Sequence, residues 1–298
     1  MITTDRKTFC AKRALARLNV SEKWEVPTER NRYEALWYQT AGKIVPGAVP
    51  EVIAVDSALG VFAMEYFDPA DFSLWKTKLS EGQADPTDAG AVGSVLGHIH
   101  SACADRPDIE SNFQTADLFE ALRLSPYLRF TADSHPDIAD RLHDMANRVA
   151  SARTTLVHGD VSPKNILIGK DRVVLLDAEC AWFGDPAFDA AFCLNHLLLK
   201  SVWRKDAHVQ LMACFEAFWS ACRAKATWEE VGGLETRTAA LLGALMLVRI
   251  DGKSPVEYII DEKDRARVRG FAKALVGVPI SDPLEIANAW DREQRKHA

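Results

Sequence analysis

The chain has 298 residues, of which 48% are hydrophobic and 26% charged, and its formal net charge is −6. This composition is typical of a folded globular protein with room for one large domain or two unequal ones, and it excludes a disordered chain. The Lys and Arg residues are fewer than the acidic residues and are scattered, so we expect no nucleic-acid partner.

Six cysteines occur without any CxxC pair and mostly in apolar surroundings, which predicts free buried thiols rather than disulfides or a zinc site. The N-terminal segment MITTDRKTFC has no apolar signal core, and the longest apolar run, residues 241–248, is too short to cross a bilayer. These features predict a cytoplasmic protein without a membrane segment. The oligomeric state cannot be read from the sequence.

The first elements in chain order predict a small β-rich unit. Residues 7–14 alternate loosely and predict a strand, whereas residues 27–41 have apolar side chains at helical spacing. Residues 49–67 (VPEVIAVDSALGVFAMEYF) place two β-type runs around the turn DSALG, which predicts a hairpin. Asp68, Pro69 and Asp71 interrupt the pattern. We therefore predict an N-terminal lobe over residues 1–67 and a larger helical lobe over residues 68–298.

The larger lobe is predicted to be helical on both sides of a short β-rich interruption. Helices are predicted over residues 88–104, 118–130 and 136–152. Residues 155–176 indicate a strand, a loop, and then a hairpin of two strands. Helices resume near residue 188, with loops predicted near residues 232–233 and over residues 251–255.

The chemistry-bearing residues lie at this interruption, in LVHGDVSPKNILI and RVVLLDAE. The hairpin between the two segments is expected to bring Asn165 and Asp177 together at its open end. Phosphoryl transfer needs a carboxylate to accept the proton of the attacking hydroxyl, and oxygen ligands for Mg²⁺. Asp160, five residues before Asn165, suits the first task. Any one of these residues alone is more often a turn or cap residue, so the prediction depends on the whole pattern.

The segments HGDVSPKNIL and LLDAECAWFGDPAFDAA resemble the catalytic core of the aminoglycoside phosphotransferase and choline kinase family, whose fold methylthioribose kinases share. The resemblance implies an α+β, protein-kinase-like fold with two lobes. It also implies ATP-dependent transfer of phosphate to a hydroxyl of a small molecule of the aminoglycoside, choline or sugar type, with ATP and Mg²⁺ as cofactors.

The resemblance assigns roles to the residues of these two segments. Asp160 is the catalytic base, and Asn165 and Asp177 are metal ligands. Apart from the resemblance, Glu179 stands two residues after Asp177 and would share its side in an extended backbone, so it is a further candidate ligand, directly or through water. Two more residues are implied to support the loop: His158 shapes it with Gly159, and Asp189 braces it through backbone N–H groups. A simple helix cap is the alternative for Asp189.

The same resemblance extends to the N-terminal lobe. Lys12 in FCAKRA resembles the strand lysine that holds the α- and β-phosphates, and Glu34 in RYEAL resembles its helix partner. The segment FAMEYF resembles the hinge between lobes, with Met64 behind the adenine and the backbone from Glu65 to Phe67 bonding to it. An exposed strand-edge lysine and a plain buried strand are the alternatives.

One feature departs from the family pattern. The lysine strand of the family normally follows two strands and a glycine-rich turn, but only eleven residues precede Lys12 and no glycine occurs before Gly42. Either the chain begins late or this lobe is truncated, so weaker nucleotide binding is expected. A non-catalytic nucleotide-binding pseudokinase or scaffold is therefore the alternative function. A protein kinase is disfavoured by Ser162 and by the eleven residues between Asp177 and Asp189.

The acceptor is expected to bind the C-terminal half. The stretch LVRIDGKSPVEYI predicts that Arg249, Asp251 and Glu257 form a wall of its site, with a capped helix end as the alternative. Trp182 is a further candidate, with core packing as its alternative. The negative net charge mildly favours a cationic acceptor, but the sequence does not identify it.

Overall fold

An antiparallel sheet occupies the N-terminal part of the computed structural model, which describes residues 2–4, 7–15 and 27–296. Its strands are β1 (Ile2–Thr4), β2 (Lys7–Arg13), β3 (Val52–Asp56) and β4 (Val61–Glu65), in the order β1-β2-β4-β3. Helix α1 (Arg30–Ile44) lies between β2 and β3 in the chain. The predicted strand and hairpin are confirmed, and β1 is an additional strand before the one that carries Lys12.

The register of this sheet orients Lys12 towards α1. Lys12 lies opposite Phe62, and Cys10 lies opposite Met64. Residues directly opposite in an antiparallel pair share a face, as do residues two apart in one strand. Phe62 is buried against Tyr38 of α1, with ring centroids 6.1 Å apart. All four residues of this face therefore lie on the α1 side of the sheet.

Two smaller sheets form the β-rich interruption. Strand β5 (Phe72–Leu74) pairs with β7 (Ile166–Gly169), which forms the predicted hairpin with β8 (Val173–Leu175). Strand β6 (Thr155–Val157) pairs with β9 (Trp182–Gly184). Strands β5 and β9 were not predicted, since three residues are too few to show an alternating pattern.

The remaining described residues are mostly helical. The α-helices are α2 (Trp75–Ser80), α3 (Pro86–Cys103), α4 (Pro107–Asn112), α5 (Ala116–Phe119), α6 (Phe130–Ser134), α7 (Ala139–Ser151), α8 (Pro186–Trp203), α9 (His208–Arg223), α10 (Val231–Asp251), α11 (Glu262–Gly277) and α12 (Pro283–Arg295). A π-helix, Glu120–Arg129, replaces most of the predicted helix at 118–130. The loop predicted near residues 232–233 lies just before them, over residues 224–230, because both glycines belong to the first turn of α10. Among the described helices, none has the length and apolarity needed to cross a membrane.

Helices α3 and α9 approach closely because α3 carries glycines at the contact. A Cβ atom on Gly93 would lie 2.2 Å from the carbonyl oxygen of Phe218, and one on Gly97 would lie 2.7 Å from that of Cys222. Only a residue without a side chain fits at such distances. The two helix backbones can therefore pack closely at these positions.

All six cysteines are described, and none forms a disulfide, as predicted. Five of them are buried, whereas Cys10 on β2 is half-buried. Burial raises the pKa of Cys103, Cys214 and Cys222 to about 12. These three thiols are therefore protonated and unreactive at neutral pH.

Candidate active site

Asp189, on the first turn of α8, holds the loop that follows β6. Its carboxylate oxygens accept hydrogen bonds from the backbone N–H groups of His158 and Gly159, each at 2.8 Å. It also contacts Nε2 of His100 at 3.1 Å. The side chain that caps α8 is instead Asp185, which accepts from the N–H of Ala187. The bracing contact implied for Asp189 is therefore formed, and the cap is a separate residue.

His158 and Gly159 fix the backbone at the start of the loop that follows β6. Gly159 has a φ of 79°, and a Cβ atom there would lie 2.5 Å from the carbonyl oxygen of Cys180, so glycine is required. Nδ1 of His158 accepts from the N–H of Asp160 at 3.1 Å, and Nε2 lies 3.0 Å from the carbonyl oxygen of Leu176. This pattern requires the neutral Nε2–H tautomer, in agreement with burial lowering the pKa of His158.

Asp160 is buried at the wall of a cavity, with three nitrogen donors on one carboxylate oxygen. Oδ2 lies 2.9 Å from the guanidinium of Arg123, 3.2 Å from Nζ of Lys164 and 2.9 Å from Nδ2 of Asn165. Burial alone would raise the pKa of Asp160, but the charges of Arg123 and Lys164 outweigh it and hold this pKa well below its usual range. Asp160 is therefore a carboxylate at physiological pH.

Neither of the two cations beside Asp160, Arg123 and Lys164, was predicted from the sequence. Arg123 lies on the π-helix, 37 residues before Asp160, where no local pattern points to the loop. It also donates to the carbonyl oxygen of Gly159 at 2.6 Å. Lys164 was detectable, because it stands four residues after Asp160 within the loop itself.

Asn165 and Asp177 lie at the open end of the β7–β8 hairpin, as expected. The N–H of Leu176 donates to the carbonyl oxygen of Asn165 at 2.8 Å, which joins the two segments. The amide nitrogen of Asn165 donates to Asp160, so its amide oxygen, on the other branch of the group, is available to a cation. Asp177 adopts a left-handed backbone, with φ 65°.

The donor set of Asn165 and Asp177 fits Mg²⁺. An amide oxygen and a carboxylate oxygen are hard ligands, and Mg²⁺ commonly takes only one or two protein carboxylates while phosphate and water supply the rest. The described residues contain no group of three or more His, Cys, Asp and Glu side chains able to hold a metal by themselves. Glu179 forms an ion pair with Arg30 of α1 at 2.8 Å, and its role as a further metal ligand stays a prediction.

Lys12 connects the N-terminal sheet to this site. Its Nζ lies 2.8 Å from Oε1 of the buried Glu34 and also contacts the carboxylate of Asp177. Tyr38 extends this network of polar contacts, because its hydroxyl donates to Glu34 at 2.7 Å and accepts from the N–H of Asp177 at 2.7 Å. Burial would lower the pKa of Lys12, but the two carboxylates raise it above its usual value.

The predicted hinge residues lie at the end of β4 and just after it. Met64 shares the face of Lys12 and packs against the core. The N–H of Glu65 donates to the carbonyl oxygen of Glu51 at 2.9 Å, so it is not available to a base. Phe67 packs edge-on against Phe72, with centroids 4.9 Å apart. A hydrogen-bond donor for a nucleotide base would therefore have to come from beyond Glu65.

The cavity beside Asp160 contains two of the four predicted acceptor residues, Arg249 and Glu257. Asp251 is not among its lining residues, because Arg269 and His135 hold its carboxylate at 2.6 Å and 3.0 Å. Trp182 was also predicted wrongly. It is 1% exposed and stacks on Phe119 with centroids 4.2 Å apart, which is the core alternative.

Residues 2–234 match the family model described as the phosphotransferase enzyme family, APH. The chain therefore belongs to that family, and the family resemblance noted in the sequence is confirmed.

Curated relatives include two methylthioribose kinases. The protein from Pectobacterium carotovorum subsp. carotovorum is 25% identical over 206 residues, and that from Erwinia tasmaniensis is 27% identical over 207 residues. Each match covers 61% of this chain and 51% of the relative, so the chain spans about half the length of the curated relatives it matches.

Among solved structures, an amicoumacin kinase in complex with AMP-PNP, Ca²⁺ and Ami has a TM-score of 0.50 at 13% identity, covering 87% of this chain and 81% of that chain. This likeness concerns the fold alone. Together with the family match it confirms the predicted α+β, protein-kinase-like fold.

Proposed function

We propose that the protein transfers the γ-phosphoryl group of ATP to a hydroxyl of a small molecule, with Mg²⁺ as the accompanying cation. The observation that carries this proposal is Asp160, a buried carboxylate that Arg123 and Lys164 keep ionised at the wall of a cavity. Membership of the phosphotransferase family and the similarity to methylthioribose kinases support the same class of reaction.

In the proposed reaction the acceptor oxygen forms a bond to the γ-phosphorus while the bond from that phosphorus to the bridging oxygen breaks, and ADP leaves with that oxygen. Asp160 accepts a hydrogen bond from the acceptor hydroxyl and receives its proton. A carboxylate of such low pKa is a weak base, so its main contribution is to orient the hydroxyl, and the proton moves late.

The remaining residues are assigned to the nucleotide and its metal. Asn165 and Asp177 would hold Mg²⁺, which neutralises charge on the phosphates when it is bound. Lys12, positioned by Glu34, would bind the α- and β-phosphates. Met64 and the backbone near Phe67 would contact the base. His158 and Asp189 keep the loop of Asp160 in place.

The proposal is tested by ADP formation from Mg²⁺–ATP with a panel of small hydroxyl compounds. Asp160→Asn should lower kcat by about 10²- to 10⁴-fold while nucleotide binding, measured by calorimetry, is retained. Lys170→Met, an exposed change in the β7–β8 turn, is the control and should leave the rate unchanged. Nucleotide binding without turnover of any acceptor would favour the pseudokinase alternative. Equal rates in Asp160→Asn and the wild type would contradict the role assigned to Asp160.

A further inference from the structure

The cavity beside Asp160 has an excess of positive charge. Its volume is about 210 Å³. The charged side chains that line it are two carboxylates, Asp160 and Glu257, and four cations: Lys76, Lys164, Lys200 and Arg249. The lining therefore carries more positive than negative charge, although the whole chain has a net charge of −6.

Ion pairs within the site neutralise only part of this charge. Asp160 is paired with Lys164 and also with Arg123, which is not one of the residues lining the cavity. Glu257 is paired with Lys76 at 2.5 Å. Lys200 and Arg249 remain without a carboxylate partner among the lining residues.

Arg249 has only neutral hydrogen-bond partners. One of its terminal nitrogens donates to the backbone carbonyl of Ser254, and to the hydroxyl of the same residue at 3.1 Å. Its Nε is buried and has no hydrogen-bond partner in the part of the chain that the structure describes. Arg249 therefore forms no ion pair within the described part of the chain, although its charge acts on the nearby carboxylate of Glu257.

Lys200 is the more unusual of the two. It is 1% exposed, and its Nζ is buried without a hydrogen-bond partner among the described residues. Nζ lies 4.6 Å from the ring centroid of Tyr258 and 5.3 Å from that of Trp203, and the charge of Glu257 acts on it without forming an ion pair. Burying a charge without a counter-charge is costly, so such a lysine is readily explained if a ligand supplies the negative charge.

We propose that the acceptor is a small hydroxyl compound that carries an anionic group, and that Lys200 and Arg249 bind this group while Asp160 takes the hydroxyl. The anionic group is a carboxylate or a phosphate, since both match the ammonium and guanidinium donors. This inference rests on the proposed kinase function and narrows its substrate class.

The inference replaces the mild preference for a cationic acceptor drawn from net charge. Binding depends on the potential inside the cavity, and total charge says little about it. The volume points to a compact acceptor, because pockets for drug-sized ligands typically measure about 300–1,000 Å³. A multi-ring aminoglycoside does not suit such a cavity.

The test compares acceptors that differ in charge. Glycerate and gluconate form the carboxylate arm, and glycerol 3-phosphate and ribose 5-phosphate form the phosphate arm. Glycerol, ribose and methylthioribose are neutral, and choline is cationic. ADP formation gives kcat and KM for each compound, and calorimetry gives its affinity in the presence of AMP-PNP, which does not depend on turnover.

Lys200→Met is the decisive variant, with Lys170→Met as the control. We expect at least one anionic compound to be the best substrate, and Lys200→Met to raise its KM at least tenfold with little change for a neutral compound. The melting temperature of Lys200→Met should equal or exceed that of the wild type, because a buried charge is removed. A lysine that only packs against Tyr258 and Trp203 would instead give a lower melting temperature and an unchanged KM.

The remaining outcomes separate this inference from the proposed function. Efficient turnover of choline or a neutral sugar that Lys200→Met does not affect overturns the anionic acceptor and leaves the kinase function standing. Absence of turnover with every compound, but anion binding that depends on Lys200, supports the anion site and contradicts the kinase function. If no anionic compound binds or reacts, the inference is wrong.

Discussion

Asp160 and Asp177 are carboxylates of the same site, yet their surroundings suit them to different tasks. Asp160 is almost fully buried and is held by Arg123 and Lys164 in the free protein. The side chain of Asp177 is 33% exposed, and its counter-charge is Lys12. A bound phosphate group can replace Asp177 as the ion-pair partner of Lys12, and the Asp177 carboxylate would then be free to bind a cation. The first residue is thus suited to orient a hydroxyl and the second to bind metal.

The charge of Lys200 should make acceptor binding depend on pH. Burial lowers the pKa of Lys200 to about 8, and the charge of Lys76 adds to this while Glu257 opposes it. The ammonium is therefore present below pH 8 and lost above it. The KM for an anionic acceptor should rise as the pH passes upward through 8, whereas kcat/KM for a neutral acceptor should change less.

The other titratable groups around Lys200 would not produce a change in KM near pH 8. Burial lowers the pKa of His196, so that it stays neutral, and burial raises the pKa of Tyr258 well above pH 8. Lys200→Arg, whose guanidinium stays charged, is the matched control and should remove the pH dependence of KM. A wild-type KM that is flat across pH 8 would contradict the assignment.

Asp189→Asn should destabilise the protein. The amide group offers one acceptor where the carboxylate offers two, so the N–H of His158 or Gly159 loses its partner in a buried place. The expected loss in the free energy of unfolding is about 1–3 kcal/mol by urea denaturation. Asp261→Asn is the control: Asp261 caps α11 at an exposed position where Asn caps equally well, so a change under about 0.5 kcal/mol is expected.

At the scale of elements, the sequence predicted those with a long periodic pattern and missed those that depend on distant partners. Helix α3 and the hairpin of β3 and β4 were close to their observed bounds because their apolar spacing is set locally. Strands β5 and β9 are three residues long. They form because β5 pairs with β7 and β9 pairs with β6, both distant in the chain. The π-helix contains Pro126, and no propensity rule distinguishes it from an ordinary helix.

The same distinction applies to the site. The loop of Asp160 and the hairpin residues Asn165 and Asp177 could be found because they are contiguous in the chain. Arg123 and Lys200 reach the site from separate helices, so their place in it depends on tertiary packing. Trp182 shows the opposite error, since an aromatic residue beside a motif fits a pocket or a core equally well until its neighbours are known.

The contact between α3 and α9 gives a direct prediction for two glycines of the same helix. Gly93→Ala should destabilise by about 1–3 kcal/mol, because its Cβ would lie 2.2 Å from the carbonyl oxygen of Phe218. Gly90→Ala should stabilise by up to about 1 kcal/mol, because its Cβ meets nothing closer than 3.8 Å and Ala favours the helix. Thermal and urea unfolding of both variants measures this, and equal effects would show that the two helices do not pack as described.

For the whole molecule, several polar contacts join the N-terminal sheet and α1 to the later sheets. Lys12 contacts Asp177, Arg30 pairs with Glu179 at 2.8 Å, and Glu65 pairs with Arg172 at 3.0 Å. All three contacts connect residues before position 67 with residues after position 170. The division into lobes at residues 67 and 68 stays a prediction. A motion of one lobe relative to the other would break these contacts.

Lys12→Met should mainly weaken ATP binding. The change removes the charge assigned to the phosphates and leaves Glu34 and Asp177 without their shared cation, so the KM for ATP should rise at least tenfold. Lys43→Met, at an exposed position in the last turn of α1, is the control and should leave it unchanged. An unaltered KM for ATP in Lys12→Met would show that this lysine does not contact the nucleotide.

The distribution of the thiols makes the wild-type protein convenient to label. Cys10 is the half-buried cysteine, two residues from Lys12 on the same face of β2, and the other five are enclosed. A maleimide fluorophore should therefore attach mainly at Cys10 without any cysteine having to be removed by mutation. Its emission would report arrival of a nucleotide at the adjoining lysine, and bound nucleotide should in turn slow the attachment.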